Sequence, residues 1–224
     1  GDLKFRDVND DKKINIGNNT LEDHGDLVKI GNTTPRYCYS FSYGAEWNGI
    51  GFSMFWQGVA KRDWYPNSEA GLFWGNYGRV YGYDLPWQNA SNRAGVDANG
   101  DITNPTAYWP RLRGYIAEDN KGTLSRRNNR YLQNAAYPRL KTVSLSYAFS
   151  QNLISKLGLT SLVVYLSGEN LLTITPLHKW AKNFDPEVIS SGDASGWNGQ
   201  TGTAGDGYSY PMLKSMSLGL NITF

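Results

Sequence analysis

Polar and apolar residues alternate with a period of two along several stretches of the chain. The clearest stretch is the last one, in which Met216, Leu218, Leu220, Ile222 and Phe224 alternate with Ser215, Ser217, Gly219, Asn221 and Thr223. Such alternation is typical of a β-strand with one apolar and one polar face. The pattern predicts five strands, at about 36–47, 49–60, 140–149, 161–171 and 212–224.

These predicted strands resemble membrane-crossing strands in length and composition. Each has roughly 9–12 residues, the length that a tilted strand needs to cross a bilayer, whereas strands of globular proteins average about 5–6. Their polar faces carry serine, threonine, glycine and asparagine, as expected of a wall that faces a wet lumen. Glu169 is expected on that side, because a carboxylate that faces lipid is costly. A soluble β-sandwich also has one buried face per sheet, so alternation alone leaves that alternative open.

The predicted connections alternate between short and long. Asn48-Gly49 predicts a two-residue type I′ hairpin turn, and the connection at about 150–160 is also short, whereas residues 61–139 and about 172–211 form long connections. Outer-membrane barrels have short periplasmic turns and long extracellular loops. We therefore expect residues 1–35 on the outside of the cell and Phe224 on the periplasmic side.

Five strands cannot close a barrel, because both outer edges would keep unpaired backbone groups. The chain is therefore expected to be the C-terminal part of a longer all-β barrel. The first ten residues lack the basic and apolar regions of a signal peptide, so none is expected there.

Composition excludes several other classes of protein. A net charge of +2 gives no electrostatic reason to expect nucleic-acid binding. One cysteine, Cys38, forms no internal disulfide, and two histidines add too little for a zinc site. No apolar run reaches the roughly 18 residues of a transmembrane helix. Neither a Ser/His/Asp arrangement nor a glycine-rich phosphate loop is present, so the chain is predicted not to be an enzyme.

Five stretches resemble the C-terminal part of the SusC/RagA-type TonB-dependent outer-membrane transporters. They are residues 1–9 (GDLKFRDVN), 55–63 (FWQGVAKRD), 130–141 (RYLQNAAYPRLK), 167–173 (SGENLLT) and 210–224 (YPMLKSMSLGLNITF). The resemblance implies a barrel of about 22 strands and an N-terminal plug domain that lies outside this chain. It also implies import of oligosaccharides, or of oligopeptides, across the outer membrane of a Gram-negative bacterium. TonB would supply the energy, and a SusD-like surface lipoprotein would act as an extracellular lid.

Two alternatives stay open from the sequence alone. A secreted carbohydrate-binding β-sandwich would have similar alternation and would be soluble without detergent. A siderophore transporter would have the same barrel architecture and no SusD-like partner.

The long loops contain the candidate substrate contacts, because aromatic rings stack on the apolar faces of sugars. The candidates are Trp64, Trp74, Trp87, Trp109, Trp180 and Trp197. Aromatic residues in long loops also pack the loop itself or a partner protein, and that alternative applies to each of them.

Three cations and one aromatic residue are candidates for contacts with the membrane and its machinery. By parity, Arg62, Lys141 and Lys214 lie on the lipid-facing side near the predicted extracellular rim, where we expect them to bind lipopolysaccharide phosphates. The terminal Phe224 resembles the signal that the barrel-assembly machinery recognises.

A calcium ion in an extracellular loop is the one cofactor that the sequence suggests. Asp7, Asn9 and Asp11 place side-chain oxygens at alternate positions, as at the start of a calcium-binding loop. The family often has glycine where Asp10 and Lys12 stand in this chain.

Overall fold

The computed structural model of the chain describes residues 3–66, 92–109, 127–189 and 210–224. Its main element is a five-stranded antiparallel sheet with the strand order β1-β2-β5-β6-β7. These strands are β1 (Arg36–Trp47), β2 (Ile50–Lys61), β5 (Tyr137–Ala148), β6 (Ser161–Thr173) and β7 (Ser215–Thr223). The smaller elements are β3 (Asp63–Trp64), β4 (Gln133–Asn134), helix α1 (Gln151–Ile154) and two 3-10 helices, Ser155–Leu157 and Pro176–Lys179.

The described residues fall into two compact units. One unit comprises residues 3–32, 64–66, 92–109 and 127–132, and the other comprises residues 33–63, 133–189 and 210–224. The five-stranded sheet belongs entirely to the second unit.

The strand register aligns residues of the same character in rows across the sheet. One polar row joins Gly44, Ser53, Ser144, Ser167 and Ser217, and the next joins Glu46, Gly51, Ser146, Tyr165 and Gly219. Between them, on the opposite face, lies a row of Ala45, Phe52, Leu145, Leu166 and Leu218. Directly paired residues point to the same face of a sheet. The sheet therefore has one hydroxyl-rich face and one apolar face, as the alternation predicts.

The apolar face is open to its surroundings. Phe41, Leu145 and Leu218 are 53, 49 and 75% exposed, respectively. Contiguous apolar surface of this extent marks a contact with a membrane or another protein. No helix among the described residues is long and apolar enough to cross a membrane.

The connection between β1 and β2 is the predicted two-residue turn. Asn48 and Gly49 both have positive φ, at 50° and 83°, and Trp47 pairs with Ile50 across them. Positive φ at both central residues defines the type I′ turn, which matches the twist of the flanking strands.

A β-bulge interrupts the alternation of β5 at Lys141. Leu140 and Thr142 pair with neighbouring residues of β2, so Lys141 is the extra residue. Before the bulge the parity is reversed, with Leu140 on the apolar face and Arg139 on the polar face. This reversal conceals the start of the strand, which the sequence places at about residue 140 and the structure at Tyr137.

The last strand begins at Ser215 and not at residue 212. The backbone before it bonds to side chains instead of to a neighbouring strand. Met212 N–H donates to Asp185 Oδ2 at 2.9 Å, and the Leu213 carbonyl accepts from Asn170 Nδ2 at 3.1 Å. The side chains of Asp185 and Asn170 thus hold the segment before β7 in place, although this segment adds no backbone hydrogen bonds to the sheet.

Candidate functional site

A cluster of charged side chains lies where β5 begins, on the polar face of the sheet. Arg139 donates to Asp185 Oδ1 at 2.5 Å and to Glu187 Oε2 at 2.7 Å. Lys141 Nζ lies 2.7 and 3.0 Å from the two carboxylate oxygens of Glu187. The Arg139 and Asp185 side chains are only 3 and 6% exposed. This charge cluster fixes the segment that follows β6 against β5.

Arg62 holds the same segment from the end of β2. Its Nη1 donates to the Pro186 carbonyl at 3.1 Å and its Nη2 to the Ile189 carbonyl at 2.5 Å. The side chain is buried, and this burial lowers the pKa of the guanidinium. Its Nε has no hydrogen-bond partner within the described ranges. Arg62 therefore acts as a structural cation that binds backbone carbonyls.

These contacts change the expectation for the three predicted lipopolysaccharide ligands. Arg62 and Lys141 both bind groups of the protein itself. Parity placed Lys141 on the lipid side, but the bulge brings its side chain to Glu187, the partner of Arg139 on the polar face. Lys214 is exposed immediately before β7. The hypothesis stays a prediction, and Lys214 is the residue best placed for it.

Two of the candidate tryptophans are packed inside the first unit. Trp64 and Trp109 are 1 and 0% exposed. The ring of Tyr108 meets that of Trp109 edge to face, with 5.0 Å between the ring centroids. The structure gives both residues a packing role and offers no support for the substrate contact predicted for them, because a covered ring presents no face to a sugar.

Polar side chains that the sequence analysis did not single out support this aromatic packing. Asn128 Nδ2 donates to the Tyr65 hydroxyl at 2.8 Å, and Asn128 Oδ1 accepts from the backbone N–H groups of Arg130 and Tyr131. Burial raises the pKa of Tyr65. Arg130 in turn donates to the Ala107 carbonyl at 2.5 Å. In the sequence, the enrichment of the long connection in aromatic residues was the one signal that indicated a packed core.

Trp180 is the described candidate that keeps part of its ring accessible. It follows the 3-10 helix Pro176–Lys179, which Thr175 caps by accepting the Leu177 N–H at 3.2 Å. Lys179 Nζ lies 5.2 Å from the Trp180 ring centroid, in the geometry of a cation–π contact. The other candidates, Trp74, Trp87 and Trp197, lie outside the described residues.

Two further predicted residues lie on the sheet itself. Glu169 is on the polar face opposite Thr142, and it accepts a hydrogen bond from Ser215 Oγ at 3.1 Å. Phe224 follows the last residue of β7 and is 88% exposed. No contact of the described residues tests its predicted role in assembly.

The segment around Asp7 folds into a loop of side-chain oxygens. Asp7 Oδ2 accepts from the Lys12 N–H at 2.7 Å, and Asn9 Oδ1 accepts from the Asp11 N–H at 3.2 Å. Asp10 and Lys12 adopt positive φ angles of 60° and 64°. Glycine is the residue that adopts this conformation most readily.

Asp26 joins this loop from further along the chain. Its carboxylate accepts from the backbone N–H groups of Val8, at 2.7 Å, and Asn15, at 2.8 Å, and these two bonds, in that order, lower its pKa. The described residues contain no group of three or more His, Cys, Asp or Glu placed to hold a metal; the middle predicted ligand, Asn9, is an amide. However, Asp7 Oδ1 is buried and has no hydrogen-bond partner in the described part of the chain. Such an oxygen fits a calcium ion, which takes only oxygen ligands.

The sequence matches three curated proteins of Formosa agariphila. Over the whole chain it is 29% identical to TonB-dependent receptor P26 and 27% identical to TonB-dependent receptor P39. Over 43% of the chain it is 33% identical to TonB-dependent receptor P3. The chain is therefore similar over its whole length to TonB-dependent receptors. It spans about a fifth of the relatives that it matches end to end, 20% of P26 and 19% of P39. No family model matches the sequence.

Solved structures share the fold of this chain. The chain matches structures of the RagAB peptide importer in the open-open and closed-closed states with TM-scores of 0.55 and 0.57, at 24% identity. The matches cover 86 and 87% of this chain and 17 and 18% of the solved chain. They confirm the predicted fold class, part of a large all-β barrel.

The relationship to TonB-dependent receptors also confirms the predicted outer-membrane localisation. The relatives are receptors and not enzymes, in agreement with the prediction for this chain. In outer-membrane barrels the apolar face of the strands faces lipid and the polar face lines the lumen, which agrees with the two faces of this sheet. Neither the β-sandwich nor the siderophore alternative gains support from the comparisons.

Proposed function

We propose that the protein to which this chain belongs imports oligosaccharides, or oligopeptides, across the outer membrane. Energy comes through TonB, and a SusD-like lipoprotein covers the extracellular opening. The similarity to TonB-dependent receptors over the whole chain supports the energy source. The RagAB structures that share the fold are those of a peptide importer, and for this reason peptides stay beside oligosaccharides as cargo.

The two-faced sheet is the observation that carries this proposal. On β1 the apolar face extends from Tyr39 to Trp47, eight residues further along. At about 3.3 Å per residue and a strand tilt of about 40°, these residues cover a height of about 20 Å. Outer-membrane barrels have an apolar band about 25 Å tall. The strands are therefore long enough to form a wall of a transmembrane channel.

The lumen side offers hydrogen bonds and few charges. A depression of about 390 Å³ is lined mainly by residues of this side, Gly44, Glu46, Gly51, Ser53, Ser144 and Ser146, together with Ala45 and Phe52 of the apolar row between them. Serine hydroxyls both donate and accept, and Glu46 and Glu169 accept only. Away from the charge cluster, such a surface suits neutral solutes rich in hydroxyl or amide groups. It suits polyanionic solutes poorly, because both of these carboxylates would repel them.

Each part of the chain has a role in the proposed transport cycle. The long connections, which include Trp180, contact cargo or the lipoprotein lid on the outer side. The charge cluster of Arg139, Lys141, Asp185 and Glu187 keeps the base of one connection at the rim of the lumen. The hydroxyl rows line the path that opens when the plug, in another part of the protein, is displaced through TonB.

Uptake measured in the native bacterium tests the proposal. Deletion of the gene should abolish uptake of a fluorescently labelled mixture of neutral oligosaccharides and peptides, and a protonophore should have the same effect on the wild type. An affinity-tagged protein should retain a surface lipoprotein in detergent. Recovery of the intact protein in the detergent-free soluble fraction would defeat the proposal, and so would unchanged uptake in the deletion strain. Uptake restricted to ferric siderophores would favour the siderophore alternative.

A further inference from the structure

The connection between β5 and β6 exposes two leucine side chains. Helix α1 and the 3-10 helix that follows it form one helical segment, Gln151–Leu157, which ends at Gly158 with φ 73°. Leu153 is 57% and Leu157 71% exposed, whereas Ile154 is 2% exposed. A single exposed leucine is ordinary, but two in one short helical segment form a small apolar surface. No described residue covers this surface.

Both leucine side chains project outward from this helical segment, as their exposure shows. The intervening Ile154 is the residue that packs against the protein. The apolar part of the segment's outer surface is therefore made by Leu153 and Leu157.

The connection that carries this leucine pair begins and ends at the apolar face of the sheet. The Phe149 N–H donates to the Leu162 carbonyl at 3.0 Å, which closes the connection at its base. Phe149 contacts Tyr147, with 4.9 Å between the ring centroids, and Leu162 pairs with Ile222 in an apolar row. The chain therefore leaves the last rows of the lipid-facing surface at Phe149 and returns to them at Leu162.

The charge of the connection also suits a lipid surface. Residues 150–160 contain one ionisable side chain, Lys156, and no carboxylate. Lys156 lies immediately before Leu157 in the 3-10 helix. A cation beside exposed apolar side chains is typical of segments that lie in the membrane interface, where the ammonium group reaches the phosphates.

We propose that Leu153 and Leu157 insert into the lipid leaflet at this end of the strands, with Lys156 at the level of the phosphates. The connection then anchors the barrel in the interface and limits vertical movement of the adjoining strands. This proposal depends on the proposed function only in that the sheet spans a membrane.

Fluorescence quenching by brominated lipids tests the insertion. The full-length protein, freed of other cysteines including Cys38, carries a bimane label at Leu157→Cys or Leu153→Cys. It is reconstituted into vesicles of phosphatidylethanolamine and phosphatidylglycerol with bromine near the headgroup. Labels at both positions should be quenched, and their emission should be shifted to the blue.

Two control positions make the outcome decisive. A label at Gln151→Cys, which is exposed on the same segment, should be quenched clearly less than one at Leu157. A label at Leu218→Cys, on the apolar face of β7, reports whether the sheet spans the bilayer at all.

Quenching at Leu218 without quenching at Leu157 would overturn the anchor and leave the import proposal intact. Equal quenching at Gln151 and Leu157 would also overturn it, because insertion would then not be specific to the leucine positions. Absence of quenching at Leu218 would refute the membrane placement and, with it, the proposed function.

Discussion

The ring of Tyr165 on β6 covers the backbone of Gly219, its direct partner on β7. A Cβ atom at Gly219 would stand inside the space that the Tyr165 ring occupies. The same arrangement joins Tyr39 of β1 to Gly58 of β2 on the other face. In both pairs an aromatic ring packs on a position without a side chain, which shields the backbone of the neighbouring strand.

Substitution of Gly219 should therefore weaken the pairing of the last strand. Gly219→Ala should lower the free energy of unfolding by about 1–3 kcal/mol, because the extra methyl group overpacks the site. Urea-induced unfolding of the full-length protein in detergent measures the loss. Gly44→Ala is the matched control, since its added Cβ meets nothing nearer than Phe52 O at 3.8 Å. Equal stability of the two variants would show that the Tyr165 ring moves aside freely.

The buried half of the charge cluster should be far more sensitive to substitution than its exposed half. Asp185→Asn leaves Arg139 buried with reduced compensation, which should cost about 3–5 kcal/mol of unfolding free energy. Glu187→Gln should cost about 1 kcal/mol, because Glu187 is 23% exposed. Urea unfolding, together with trypsin cleavage between residues 174 and 189, would detect the difference. A smaller effect for Asp185→Asn than for Glu187→Gln would contradict the prediction that the more deeply buried carboxylate contributes more to stability.

The loop around Asp7 should bind calcium. Isothermal titration of the full-length protein should show a binding event that Asp7→Asn abolishes or weakens at least about tenfold, because charged oxygen ligands dominate calcium affinity. Asp10→Asn is the matched control: its φ of 60° suits asparagine, and residue 10 is outside the alternating oxygens. A titration without heat, or one that Asp7→Asn leaves unchanged, would remove the calcium hypothesis.

Lipopolysaccharide contact should depend on Lys214 and not on Lys141. Lys214→Gln should reduce the lipopolysaccharide that purifies with the protein, because Lys214 is exposed before β7 on the lipid-facing parity. Lys141→Gln should leave it unchanged, since Glu187 already binds that ammonium group. Quantification of bound lipid A by mass spectrometry distinguishes the two variants. Loss of lipid A only on substitution of Lys141 would reverse the assignment.

Removal of Phe224 should lower the amount of protein in the outer membrane. The residue follows the last position of β7 and is exposed, so its ring is accessible to the assembly machinery that is expected to recognise it. Quantitative immunoblotting of outer-membrane fractions measures the effect, and Phe224→Tyr should restore normal abundance because it keeps the aromatic ring. Normal abundance after deletion would exclude an assembly role.

Period-two alternation predicts the strands well wherever one face meets lipid. β1 and β2 follow the predicted ranges within about one residue, because every second side chain is apolar along their full length. Alternation fails at the bulge in β5, where one extra residue moves Lys141 from the expected face to the other. No feature of the local sequence announces that residue as the extra one.

Long-range contacts account for the other differences. Asp185 and Glu187 lie 46 and 48 residues after Arg139, and nothing in the sequence pairs them. Stacking on a sugar, the role predicted for the candidate tryptophans, needs an accessible ring. Trp64 and Trp109 instead fill a core whose polar support, Asn128, lies far along the chain from both. The residue types predicted that these rings make contacts. Only the folded chain shows that the contacts are with other residues of the protein.

The outer edges of β1 and β7 have a practical consequence for anyone who studies residues 1–224 alone. Within the described residues no strand pairs with either edge, and about every second residue of the 12-residue strand β1 directs its backbone N–H and C=O groups to the open edge. Unprotected edges of this length serve as templates for other strands. Isolated copies should stack edge to edge into extended aggregates that bind amyloid dyes, whereas the same strands in the complete barrel are held by their neighbours.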